Sequence, residues 1–162
     1  MKPRHWFFLV GLLLHVTGLG FVIGSARTAR DAPPPPPAVT LTPIASVKQI
    51  MKGIVTPAAN TVFQSVSTTV SARGIEEKQP RDDEEWEMVG NGAAALIESG
   101  NLLMMGSRAI DKDDWIKMAQ ALIDASQIAL KATQEKNAEK LLESGEGINT
   151  SCDNCHKKYQ RG

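Results

Sequence analysis

From Ile44 to the C-terminus, apolar residues recur at three- and four-residue intervals, and no stretch alternates with period two. Side chains three and four apart share one face of a helix, so such a chain can bury its apolar surface only as a set of packed helices. Val47, Met51, Ile54, Ala58, Val62, Ser65 and Thr69 mark a first helical segment over Ile44 to Ser71, and Pro57 falls inside it. A kink is expected there, or a restart with Thr56 as N-cap and Pro57 at the first helical position. Arg73 to Pro80 reads as a loop.

Asp82 to Glu85 place acids at the positive end of a second helix, whose stripe is Trp86, Val89, Ala93, Leu96, Ile97, Gly100, Leu103 and Met104, ended by Gly106 and Ser107. A third begins near Asp113 with Trp115, Met118, Leu122, Ala125, Ala129 and Thr133 inward, and Lys131 and Lys136 at its negative end. Asn137 caps a fourth, with Leu141, Gly145, Ile148, Cys152, Cys155 and Tyr159 in line. Four segments with short connections predict an all-α fold, an antiparallel four-helix bundle over 44–162. The inner stripes are rich in Ala and Gly, which either brings helices very close or leaves room for something large.

Ahead of this body stands a different kind of sequence. Met1 to His5 is basic, and Trp6 to Ala26 is uncharged and largely apolar. That is an export address, with residues 1–30 forming a signal peptide or an N-terminal membrane anchor. As a helix the run spans roughly 30 Å, close to the hydrocarbon thickness of a bilayer. Gly24, Ser25 and Ala26 supply the small residues a signal peptidase accepts, so cleavage and retention both stand. Either way the body is exported, soluble or tethered to the inner membrane through residues 6–26. Residues 31–43 hold Pro33 to Pro37 and form an extended spacer of about 3 Å per residue. Lys2, Arg4, Arg27 and Arg30 are the only charges before Asp31, so the remainder carries 14 basic against 18 acidic residues. A mildly acidic body gives no support for nucleic-acid binding, since phosphate neutralisation needs a basic footprint.

Cys152-Asp153-Asn154-Cys155-His156 is a C-x-x-C-H run, the attachment sequence of a c-type haem. Two thiols three positions apart on one helical face can each bond a haem vinyl group, and the adjacent imidazole reaches the iron from the same side. A thioredoxin-like reading needs strands around the motif, and a closed zinc site needs four ligands where the exported body has two Cys and one His. The expected cofactor is therefore one covalently attached haem c, with Cys152 and Cys155 as attachment residues and His156 on the iron.

The motif lies in the last turns of the last helix and is followed three residues later by Tyr159. In placement and in the four-helix pattern, 44–162 resembles the class II cytochromes c, the cytochrome c′ family and its low-spin relatives. That resemblance implies a bundle fold, redox partner proteins, a periplasmic location and, as in many cytochromes c′, a homodimer. Low-spin members bind the iron through a Met on the first helix, and Ile50-Met51-Lys52 looks similar to that segment. Three readings stay open: Met51 as sixth ligand, Met51 as packing over an open iron, or Met104 or Met88 in its place, with Met105 and Met118 less well placed. His5 and His15 belong to the export segment, so a second histidine ligand within the body is excluded. A filled sixth position implies one-electron transfer and no enzymatic activity. An open one implies a five-coordinate haem protein binding nitric oxide or carbon monoxide. Trp86 and Trp115 are expected at bundle seams, Tyr159 at the haem edge or in helix-end packing. Lys157, Lys158 and Arg161 either face solvent or meet the haem propionates.

Overall fold

The computed structural model describes residues 10–15 and 41–160, within two compact units, Met1–Thr40 and Leu41–Gly162. In the first unit, 10–15 are helical with Leu12, Leu13 and Leu14 exposed. The rest of 1–30, the proline block and Arg161 lie outside the described residues. Among the described residues no helix is long and apolar enough to cross a membrane.

The second unit is mostly helical. Its first segment comprises α1 (Val47–Ile50), a π-helical turn (Met51–Val55) and α2 (Thr56–Phe63). Ser46 opens it with a capping box: its hydroxyl accepts from Gln49 N–H at 3.3 Å while the Gln49 side chain accepts from Ser46 N–H at 2.9 Å. At Pro57 the helix neither breaks nor restarts. Val55 and Thr56 keep helical dihedrals, and Thr56 N–H bonds back to Met51 O across five residues. Proline lacks an N–H, and its ring clashes with the carbonyl four residues back. The wider π turn just ahead of it absorbs the misfit, and Thr56 is not a cap.

Helix α2 ends at Phe63, short of the expected Ser71. Strands β1 (Ser67–Ser71) and β2 (Gly74–Lys78) follow as an antiparallel hairpin pairing Ser67 with Lys78 and Val70 with Ile75. The expectations of a helix to Ser71, a loop from Arg73 and no strand are corrected here. Ser67, Thr68, Thr69 and Val70 have branched or hydroxyl side chains that disfavour a helix, and Gly74, at φ 123°, supplies the turn. Every residue of both strands is exposed.

Helix α3 (Asp83–Met104) begins with the Asp82 side chain accepting from Glu85 N–H at 2.9 Å. A 3₁₀ turn (Gly106–Arg108) leads to α4 (Asp114–Gln134), and α5 (Ala138–Tyr159) completes the unit. The α4–α5 connection has Lys136 at φ 51°, with Lys136 N–H on Thr133 O and Asn137 N–H on Ala132 O. This is a Schellman motif with lysine in the place glycine usually takes. Asn137 also caps α5, accepting from Lys140 N–H at 2.9 Å.

Helix α3 packs on α4, α4 on α5, and α2 on α3. Ile50, Val62, Leu96, Leu141 and Ile148 are wholly buried in one continuous core. Of the small inner-stripe residues, Gly100 marks a close helix approach, as does Gly92, which the stripe did not include. At Gly92 an added Cβ would stand 3.2 Å from Ala58 O of α2, and at Gly100 it would stand 3.0 Å from Ala119 O of α4. Both mark places where backbones nearly touch. Gly145 has only ordinary contact with Phe63, at 3.7 Å.

Candidate functional site

The end of α3, the start of α4 and the end of α5 meet at one end of the unit. Trp115, in the first turn of α4, is 4% exposed and donates its indole N–H to Leu103 O at 2.8 Å. From α5, Tyr159 donates its hydroxyl to Asp111 Oδ2 and sets its ring against Trp115 edge-on, centroids 5.0 Å apart at 73°. Lys158 pairs with Asp114.

Beside this junction lies a cavity of about 40 Å³. Its walls are Met51 and Val55 from the π turn, Leu103 from α3, Trp115, Met118, Ala119 and Leu122 from α4, and Ser151, Cys152, Cys155 and His156 from α5. The sequence-predicted residues Met51, Cys152, Cys155 and His156 are thus brought to one place. Met51 is half-buried because the π turn holds it at the edge of the core. Cys152 and Cys155 are half-buried free thiols, while His156 is exposed along much of its side chain. Burial pushes both thiols above their usual pKa, and for Cys155 the neighbouring Cys152 adds to the shift. At neutral pH both are protonated.

The alternative sulfur ligands fare differently. Met88 is 57% exposed on α3 and belongs to another groove, and Met104 is not among the cavity's walls. Met118, set aside in the sequence, is a wall residue. Its position three residues after Trp115 on the same stripe is the signal that marks it. Trp86 sits buried at a seam as expected, and Trp115 is both seam and cavity wall.

The charged residues around the motif are engaged locally. Asp111 Oδ1 accepts from Asp113 N–H and Trp115 N–H, each at 3.0 Å. The Tyr159 hydroxyl, then these backbone donors, hold the Asp111 carboxyl down to about 2. Burial, then the hydrogen bond to Asp111, pushes the Tyr159 phenol up. Lys158 is neither free in solvent nor turned to the cavity, since its ammonium bonds Asp114. Lys157 is exposed. Of the acids from Asp82 to Glu85, Asp82 caps α3, Asp83 is bonded to Lys136 at 2.6 Å and Glu85 to Arg81.

A larger groove of about 930 Å³ opens between β2 and the α2 and α3 surfaces, lined by polar side chains such as Asn60, Gln64, Lys78 and Arg81, with neither Cys nor His in it. Among the described residues no three His, Cys, Asp or Glu side chains gather to hold a bare metal ion. The chemistry-bearing side chains lie at the smaller cavity. No protein-family model, no curated protein and no solved structure matches the chain.

Proposed function

We propose that the chain is an exported c-type cytochrome of the class II kind, a four-helix bundle that carries one electron at a time through a covalently held haem. The observation that supports this most directly is that Met51 and the whole Cys152–Cys155–His156 set border one apolar cavity. The donor set suits haem c: two thiols on one face for the covalent clasp, an imidazole beside them, and a thioether contributed by a different helical segment. Bound there, haem would supply a one-electron iron couple.

The residues fit the group in chemistry, and the volume sets a condition. A void of about 40 Å³ holds little more than a water molecule, so a macrocycle needs wall side chains to move. Met51 and Met118 are suited to that, since each is unbranched with three rotatable bonds. The remaining walls keep water away: Val55, Leu103, Trp115, Ala119 and Leu122 are all buried. Apolar walls disfavour added positive charge and a thioether ligand favours ferrous iron, and both raise the reduction potential. If His156 and Met51 both held the iron, it would keep no position open to a substrate, which would leave electron transfer to redox partner proteins. On this reading the protein works in the periplasm, soluble or tethered through residues 6–26.

The test is the absorption spectrum, oxidised and reduced, of protein made in a host that attaches haem. A low-spin spectrum with a ferric methionine-to-iron charge-transfer band supports the carrier. A high-spin ferric spectrum with ready carbon monoxide uptake at neutral pH replaces it with the five-coordinate, gas-binding alternative. A colourless protein of unmodified polypeptide mass overturns both.

A further inference from the structure

His156 stands in the last turn of α5, whose ladder closes with Gln160 N–H on His156 O at 2.9 Å. Final turns fray, because their carbonyls lack partners within the helix. A side chain that must keep a fixed bearing thus occupies the least constrained part of its helix.

The polar and ring contacts that oppose fraying land on the connection before α4 and on its first turn. The Tyr159 hydroxyl donates to Asp111 Oδ2, the Tyr159 ring meets the Trp115 ring, and Lys158 pairs with Asp114. The receiving side is itself braced. Asp111 is fixed by the backbone N–H groups of Asp113 and Trp115, and the Trp115 indole is fixed by Leu103 O of α3. Contacts therefore run without a gap from the α3 backbone, through a cavity wall, to the residue one turn beyond His156. Packing alone would need only the Tyr159 ring. Its hydroxyl, aimed at a carboxylate already held by two backbone donors, adds direction to that packing.

We infer that Tyr159 is a positioning residue for His156: through Asp111 and Trp115 it locks the last turn of α5 so that the imidazole stays at the cavity. This rests on the haem reading of that cavity. Tyr159→Phe separates the two contributions of the side chain, since it keeps the ring on Trp115 and deletes the hydroxyl. Asp111→Asn removes the charge of the acceptor while keeping its shape.

The full-length haem-loaded parent and both variants are compared by amide hydrogen exchange, and the same substitutions in a Met51→Ala background, where the ferrous haem is five-coordinate, by resonance Raman spectroscopy. Haem content and helical circular dichroism should match the parent. Exchange at residues 156–159 should quicken by about tenfold while α3 stays unchanged. The iron–imidazole stretching band should broaden and shift, which a merely structural contact would leave alone. Unaltered exchange and an unaltered band in Tyr159→Phe overturn the inference, as does faster exchange with the band unmoved. A parent without haem overturns the reading beneath it, and this is visible before any variant is made.

Discussion

Met51, in the π turn before Pro57, and His156, near the end of α5, border the same cavity. Met118 borders it too, so on the haem reading both thioethers are candidates for the sixth ligand. Met51→Ala should abolish the ferric charge-transfer band and convert the haem to a high-spin form that binds carbon monoxide readily. Met118→Ala should retain the band. The reverse pattern would move the ligand to α4.

The two glycines of the helix seams should behave oppositely. An alanine Cβ at Gly100 would overlap Ile123 Cγ1 and stand 3.0 Å from Ala119 O, a backbone atom that cannot turn aside. Gly100→Ala should cost about 1 to 2 kcal/mol, overpacking outweighing the better helix propensity. At Gly145 the nearest atom is Phe63 Cδ1 at 3.7 Å, ordinary contact distance. Gly145→Ala should stabilise by about 0.5 to 1 kcal/mol. Urea unfolding monitored by circular dichroism decides both.

The start of α5 was legible to the residue, because Asn137 is a cap whose chemistry is local, whereas the start of α3 was legible only as an acidic turn in which Asp82 proves to be the cap. Cys152, Cys155 and His156 were legible as a C-x-x-C-H run, and Met51 from its inward stripe and its likeness to the first-helix Met segment; the structure brings all four to one cavity. The hairpin was not. Its strands are wholly exposed, so no buried face imprints an alternation, and Thr69 could be read into a helical stripe that nothing covers. The response to Pro57 also escaped, since a π turn depends on how neighbouring helices hold the chain on both sides. Tyr159 was visible as an aromatic residue, whereas its link to Asp111 joins distant parts of the chain and only folding brings them together.

Lys136 holds a left-handed conformation, φ 51°, that costs most side chains about 1 kcal/mol and costs glycine nothing. Its ammonium bonds Asp83, but that pair is exposed and adds little. Lys136→Gly should therefore raise the melting temperature by a few degrees, while Lys136→Ala, which keeps the strain and loses the pair, should lower it slightly. A gain in both variants would show that the lysine side chain, not the backbone, is the source of strain.

Acid should act on the α4–α5 junction through Asp111. An unperturbed aspartate titrates near about 3.9, whereas Asp111, holding the Tyr159 hydroxyl and two backbone N–H groups, titrates at about 2. A carboxyl whose pKa is lowered by folding contributes stability that is complete above its unfolded value and disappears as pH falls through its folded value. The window is thus between pH about 4 and about 2. Asp111→Asn should melt at a lower temperature than the parent at pH 7, and the gap should close across that window as the parent's carboxylate takes up its proton. At the alkaline end the sign reverses, because Tyr159 is raised: its phenol supports the junction below its ordinary pKa of about 10 and releases it as pH climbs through the higher folded value. Melting curves of the two proteins at closely spaced pH values measure this. Parallel curves from pH 7 down to pH 2 would show that the Asp111 carboxylate carries no acid-sensitive stability.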